Sequence, residues 1–235
     1  MVTGAIFYSI FNSMGYGVAF SLFFLEAKRK KYPLEPLLWI LFGSLLGGLI
    51  GSKLGSAVFV YHQYFTHHPY DILVPQVGGK TLVGGLIGGY IGTVIAKKIV
   101  KFERSTGDLF APGLALGIAI GRVGCLLNGC CYGRPTNFSW GIEAHGKLVH
   151  PTQIYEAIFC FALFIVLWRV RKRIVKDGRL FKLFLLSYCF FRFWVEFLRG
   201  DAVPGVLNFS MAQFIACVAF VFLAGEWFYQ KGTKQ

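Results

Sequence analysis

Charge is scarce in this sequence. Only 15% of its 235 residues are Asp, Glu, Lys or Arg, against roughly 25% in an ordinary soluble domain. Acids are rarest, 11 against 24 basic residues. The charges that do occur are clustered, leaving apolar stretches of about 20 residues, the length needed to cross a bilayer core. There is no low-complexity tract, no obvious internal repeat and no polar stretch long enough for a soluble domain. These absences exclude a water-soluble globular protein and leave a multi-pass membrane protein. The net charge of +13 does not argue for nucleic acid as a partner, because the cations fall between apolar runs, where they set topology.

Seven spans can be marked, at roughly 3–26, 36–61, 72–100, 108–128, 151–170, 179–198 and 206–229. Basic clusters "AKRKK", "KKIVKFER" and "RVRKRIVKDGR" occupy alternate loops, and with the tail they hold 17 of the 24 Lys and Arg residues. The positive-inside rule makes these segments cytoplasmic, with the N-terminus outside and the C-terminus in the cytoplasm. The loop "YHQYFTHHPYD" has no Lys or Arg, which agrees; its His62, His67 and His68 read as aqueous loop polarity rather than metal ligands. No basic region precedes the first span, so it reads as a retained helix. The expected fold is therefore an all-α integral membrane protein, one transmembrane domain over 1–235, with a short outer segment at about 129–150.

Seven basic residues escape the topological pattern: Lys53, Lys80, Arg122, Arg134, Lys147, Arg192 and Arg199. Arg134 and Lys147 fall in the outer segment. A charge at the bilayer centre costs at least about 2.5–3.5 kcal/mol, so such residues usually face a polar cavity and carry function. Lys53 and Lys80 are long enough to snorkel to the interface instead; Arg122 and Arg192 point to function. "FFRFWVEFLRGD" places Arg192, Glu196 and Arg199 at i, i+4 and i+7, on one face of a helix. Glu196 can then orient one arginine and leave the other for an anion. "HPTQIYEA" opens span five with His150, Gln153, Tyr155 and Glu156, and Glu156 is suited to positioning Arg122 or Arg192. The glycines of "GGLIGSKLGSA" and "GGKTLVGGLIGGYIG", Gly84 and Gly85 among them, suit close helix packing. They also suit a broken helix whose amides hold a phosphate.

Span four ends in "GRVGCLLNGCCYGRPT", residues 121–136, with two arginines, Asn128 and three cysteines. Cys160, Cys189 and Cys217 lie mid-span and read as small apolar fillers. Cys130 and Cys131, beside Arg122 and Arg134, sit in a positive field that favours a nucleophilic thiolate. Three readings stay open: a cysteine that takes up a lipid-derived group transiently, a metal or redox site of Cys125, Cys130 and Cys131 with His145 or His150, or a structural role. Converging arginines inside a bilayer suit a phospholipid head group, through the planar fork of guanidinium.

These motifs together, with "YG" at 16–17, "GSKLGS" at 51–56, "VGGLIGG" at 83–89, "DLFAP" at 108–112 and "SMAQ" at 210–213, resemble the prolipoprotein diacylglyceryl transferase family from about residue 15 to about residue 213. The resemblance implies a bacterial cytoplasmic (inner) membrane enzyme that moves diacylglyceryl from phosphatidylglycerol to the lipobox cysteine of a preprolipoprotein, with no cofactor. It implies Arg122 and Arg192 as the essential arginines. The candidate catalytic set is Arg122, Arg192, Glu196, Cys130 and Cys131, with no metal ligand. Candidate substrate-binding residues are Tyr16, Lys53, Gly84, Gly85, Asn128, Arg134, His150, Gln153, Tyr155, Glu156 and Arg199. The chain departs from the family pattern where a histidine is replaced by Val83, an asparagine by Cys125, a glutamate by Cys130 and an arginine by Lys53. The alternatives are the same scaffold with another acceptor using Cys130 and Cys131, or a non-catalytic lipid-binding or thiol-redox protein.

Overall fold

A computed structural model describes residues 2–59, 66–68, 70, 81–144, 146–174, 176–200 and 209–232. Lys80, His62 and His145, and most of the start of the expected third span, lie outside the described residues; His67 and His68 are exposed. A helix overlaps each expected span within the described residues: α1 (Val2–Arg29), α2 (Leu34–Phe59), α3 (Leu82–Ile99), α4 (Gly107–Leu127), α5 (Thr152–Val170), α6 (Arg179–Val195) and α7 (Met211–Gly232). α1, α2, α4 and α5 are long and apolar enough to cross a bilayer, and large side chains such as Trp39, Leu49, Ile158 and Phe161 stand exposed along their flanks. In water that would be a liability; against lipid it is the expected surface. The protein is an all-α membrane protein. Among the described residues the strands are those of a small antiparallel hairpin, β1 (Ile142–Ala144) and β2 (Lys147–Val149), between α4 and α5.

The described residues group into two compact units, residues 1–28 with 105–235, and residues 29–104. In the second unit α2 and α3 meet along glycines at four-residue spacing. A Cβ added to Gly47 would run into the Gly88 carbonyl, one on Gly51 into the Gly84 carbonyl, and one on Gly92 into the Gly43 carbonyl. The backbones therefore touch, as small residues allow in lipid, where apolar burial drives little association. α3 is continuous through Gly84 and Gly85, and the Gly85 amide already donates to the Thr81 carbonyl at 3.0 Å. At these two positions the packing reading is the one the contacts support: Gly84 packs on Gly51, Gly85 rests near Ser52, and the Gly85 amide is spent inside the helix, while Gly78 and Gly79 lie outside the described residues. Lys53 is half-buried on α2 in the same unit.

In the larger unit α1 packs on α4 through similar close approaches, Gly15 against Gly117 and Gly113 against Ala19. Buried Asp108, in the first turn of α4, caps α6 from outside by accepting from the Gly178 and Phe181 amides, both at 3.0 Å. This satisfies donors that α6 cannot satisfy itself. Glu26, buried near the end of α1, meets Arg171 Nε at 2.8 Å just past α5. The Arg171 guanidinium also lies 3.0 Å over the Trp168 ring.

Candidate active site

Five charged residues from α4, α5, α6 and the chain beyond α6 form one ionic chain. Arg122, near the end of α4, places Nη2 at 2.9 Å from both carboxylate oxygens of Glu156, in the first turns of α5. Arg192 Nη1, in the last turn of α6, stands 3.5 Å from Glu156 Oε2, and its Nη2 lies 2.8 Å from Glu196 Oε2. Arg199 Nε closes the series, 3.7 Å from the same Glu196 oxygen. Tyr188, buried on α6, donates to Glu156 Oε1 at 2.9 Å, and Ser210 donates to Glu196 Oε1 at 3.0 Å.

The helical-face expectation for Arg192, Glu196 and Arg199 needs one correction. α6 ends at Val195, Glu196–Leu198 form a 3₁₀ turn, and Arg199 is extended. A 3₁₀ turn advances about 120° per residue rather than 100°, so Arg199 reaches Glu196 from the tighter turn and the strand-like segment after it. That segment is built into the outer rim. Arg134 N donates to the Leu198 carbonyl at 2.8 Å, Gly133 N to His150 O at 2.8 Å, and His150 N to Arg134 O at 3.0 Å.

Along this chain three guanidiniums alternate with two carboxylates. The carboxylate side chains are 1% and 4% exposed and the arginines only 9–13%. Arg192 Nη1 makes no hydrogen bond among the described residues, its 3.5 Å contact with Glu156 being too long to serve as one. The site therefore holds a fixed, partly desolvated cluster of arginines and carboxylates with a donor to spare on Arg192.

The turn after α4 adjoins this chain. Cys130 N bonds back to Cys125 O at 3.1 Å, and Gly129 and Cys131 both adopt left-handed backbone, with φ of 66° and 63°. For Cys131 that conformation costs about 1–2 kcal/mol, and α5 supplies the compensation. Buried Thr152 donates to the Cys131 carbonyl at 2.8 Å and buried Gln153 to the Cys130 carbonyl at 2.7 Å. The three sulfurs of Cys125, Cys130 and Cys131 lie within 4.8 Å of one another. The Cys131 thiol is held below its ordinary range, first by hydrogen bonds from Cys125 and Cys130, then by the charges of Arg122 and Arg199, with burial opposing.

The other expected residues are spread around this centre. Asn128 ends α4 and is exposed, with its amide on the Gly124 carbonyl. Arg134 is exposed at the rim, donating from Nε to the Arg199 carbonyl at 3.2 Å. His150 Nδ1 lies 3.4 Å from the Tyr155 hydroxyl, which accepts from Trp140 Nε1 at 2.9 Å. Tyr16 is exposed on α1. Lys53, Gly84 and Gly85 belong to the second unit. Sequence reasoning passed over Tyr188 and Ser210. Tyr188, Arg192 and Glu196 fall at successive four-residue steps, the spacing that could have revealed Tyr188. Ser210 and Gln213 form a reciprocal cap on α7, with bonds of 2.8 and 3.2 Å; this turns the Ser210 hydroxyl toward Glu196.

Fold and site together define a helical membrane protein with a buried cluster of three arginines and two carboxylates. Comparison with known sequences agrees. The family model for prolipoprotein diacylglyceryl transferase matches residues 5–229, and the chain belongs to that family. Curated relatives bear the name phosphatidylglycerol–prolipoprotein diacylglyceryl transferase. One from Chlorobaculum tepidum is 35% identical over 228 residues, 84% of this chain and 78% of the relative. One from Clostridium tetani is 34% identical over 224 residues, 88% and 89% of the two chains. One from Geobacter sulfurreducens is 34% identical over 194 residues, 77% and 73%.

Proposed function

We propose that this protein is a membrane transferase that moves the diacylglyceryl group of phosphatidylglycerol to the cysteine thiol of a prolipoprotein. Seven spans cross a bacterial inner membrane, with the N-terminus outside and the C-terminus in the cytoplasm. The observation that carries the reading is the donor left over on Arg192 Nη1 within the buried chain Arg122–Glu156–Arg192–Glu196–Arg199. Family membership supplies the reaction class.

In this reading Arg122 and Arg192 hold the lipid phosphate, with Arg199 adding to the field. Glu156 and Glu196 are positioning residues: they fix the guanidiniums before substrate arrives, so little reorganisation is needed as charge builds on the departing phosphate. The acceptor sulfur attacks the glyceryl carbon, the C–O bond breaks, and its electron pair leaves with glycerol phosphate. Low local dielectric makes the arginine field worth more here than in water.

Purified protein given head-group-labelled phosphatidylglycerol and a lipobox peptide should release labelled glycerol phosphate and yield a thioether-linked peptide in equal amounts. Release without a modified peptide would point to another acceptor. No release by protein that carries wild-type lipid would refute the transferase reading.

A further inference from the structure

The mechanism above gives no task to the three thiols at the end of α4, and their arrangement is more specific than packing requires. We propose that Cys125, Cys130 and Cys131 bind a single zinc ion and leave its fourth position open for the acceptor thiol, a role that rests on the transferase reading. Four sulfurs at ~2.3 Å from a tetrahedral zinc stand roughly 3.8 Å from one another. Cys130 and Cys131 Sγ are 3.8 Å apart, and all three sulfurs fall within 4.8 Å of one another. Neighbouring residues in extended chain point their side chains to opposite faces; the left-handed backbone at Cys131 lets two adjacent thiols approach instead.

The support behind the thiols is also that of a built site. Thr152 and Gln153, each 1% exposed, spend their side-chain donors on the Cys131 and Cys130 carbonyls. The Cys130 amide closes the turn on the Cys125 carbonyl. Such outer partners are what hold metal ligands in register. All three ligands are sulfur, which selects soft or borderline ions such as zinc over magnesium or calcium. Among the described residues the cluster is of three sulfurs, and His150 is engaged with Tyr155; His145, the other histidine of the metal reading left open by the sequence, lies outside the described residues.

Three protein ligands and an open fourth position are the hallmark of a working zinc rather than a structural one. An acceptor thiol binding there would release its proton to solvent, since a thiol coordinated to zinc is deprotonated outright. Its sulfur lone pair then forms the new S–C bond to the glyceryl carbon, while the broken C–O bond's electrons leave on glycerol phosphate. The thioether product is neutral, lacks the thiolate charge that held the sulfur to zinc, and departs.

The test uses the full chain in detergent, stripped of metal and titrated with cobalt(II) alone as the probe. One cobalt should bind per chain with thiolate-to-metal charge-transfer absorption, be displaced by zinc, and be lost in Cys125→Ser and Cys131→Ser but kept in Cys217→Ser. A lipobox peptide should shift the cobalt ligand-field bands, and its serine version should not. Metal removal should slow transfer about 100-fold, the scale of losing deprotonation of the nucleophile, and zinc should restore it. Full transfer by the metal-free chain, a disulfide among the three cysteines in the active protein, or a band indifferent to the cysteine changes would overturn the proposal and leave the transferase reading intact. Cobalt bound through the three thiols but blind to the peptide thiol would overturn the acceptor role. Absence of transfer in a zinc-loaded chain would count against the transferase reading instead.

Discussion

Glu26 meets Arg171 near the ends of α1 and α5, while Glu156 and Glu196 meet three arginines among α4, α5, α6 and the turn that follows. All the carboxylates are buried, and both contacts join separate elements of one unit. In the first, Arg171 meets Glu26 and lays its guanidinium over Trp168. In the second, each carboxylate is shared between two arginines. Burial alone therefore does not mark a functional ion pair. Sharing is the better mark, because it holds several guanidinium forks side by side where one anion can meet them.

The comparison can be broken most severely at Glu156. Glu156→Gln removes the charge on which Arg122 and Arg192 converge and to which Tyr188 donates. Breaking a buried pair from one side costs about 3–5 kcal/mol, so thermal unfolding in detergent should fall sharply and diacylglyceryl transfer should be lost. Arg192→Lys keeps the charge and loses the fork that spans Glu156, Glu196 and a phosphate; transfer should drop about 100-fold, the scale of losing one preorganised donor, with little change in unfolding temperature. Glu26→Gln should do the reverse, destabilising by about 3 kcal/mol while the transfer rate per folded molecule stays at the wild-type value. Pairing it with Arg171→Met should recover most of that stability, which a denaturation series on the four variants would measure. Tyr188→Phe leaves the charge count untouched, so a loss of about 1.5 kcal/mol and a rate change of only a few-fold are expected. A larger rate effect in a kinetic assay would give Tyr188 more than a positioning role.

Much of this was visible in the sequence because lipid simplifies the code. Long apolar runs have one dominant physical meaning in a membrane, and Arg122, Arg192, Glu156 and Glu196 stood out because charges there are costly. Which carboxylate serves which arginine was not legible. Glu196 is four residues from Arg192 and was paired with it by spacing, but the bridge from Glu156 to Arg122 depends on α5 packing against α4, 34 residues away. The 3₁₀ turn at Glu196–Leu198 has no clear local signal in "VEFLRG". Gln153 is a candidate substrate contact in the sequence, and only the folded turn reveals it, with Thr152, holding the Cys130 and Cys131 carbonyls.

Native mass spectrometry of gently delipidated protein tests the central claim most directly, because it counts lipid retained by each variant. Wild-type chain and the Arg171→Met variant should each keep one phosphatidylglycerol in preference to phosphatidylcholine, and Arg122→Met and Arg192→Met should lose it. Equal retention by all four proteins, or loss in Arg171→Met as well, would contradict the assignment of lipid phosphate to the three-arginine cluster.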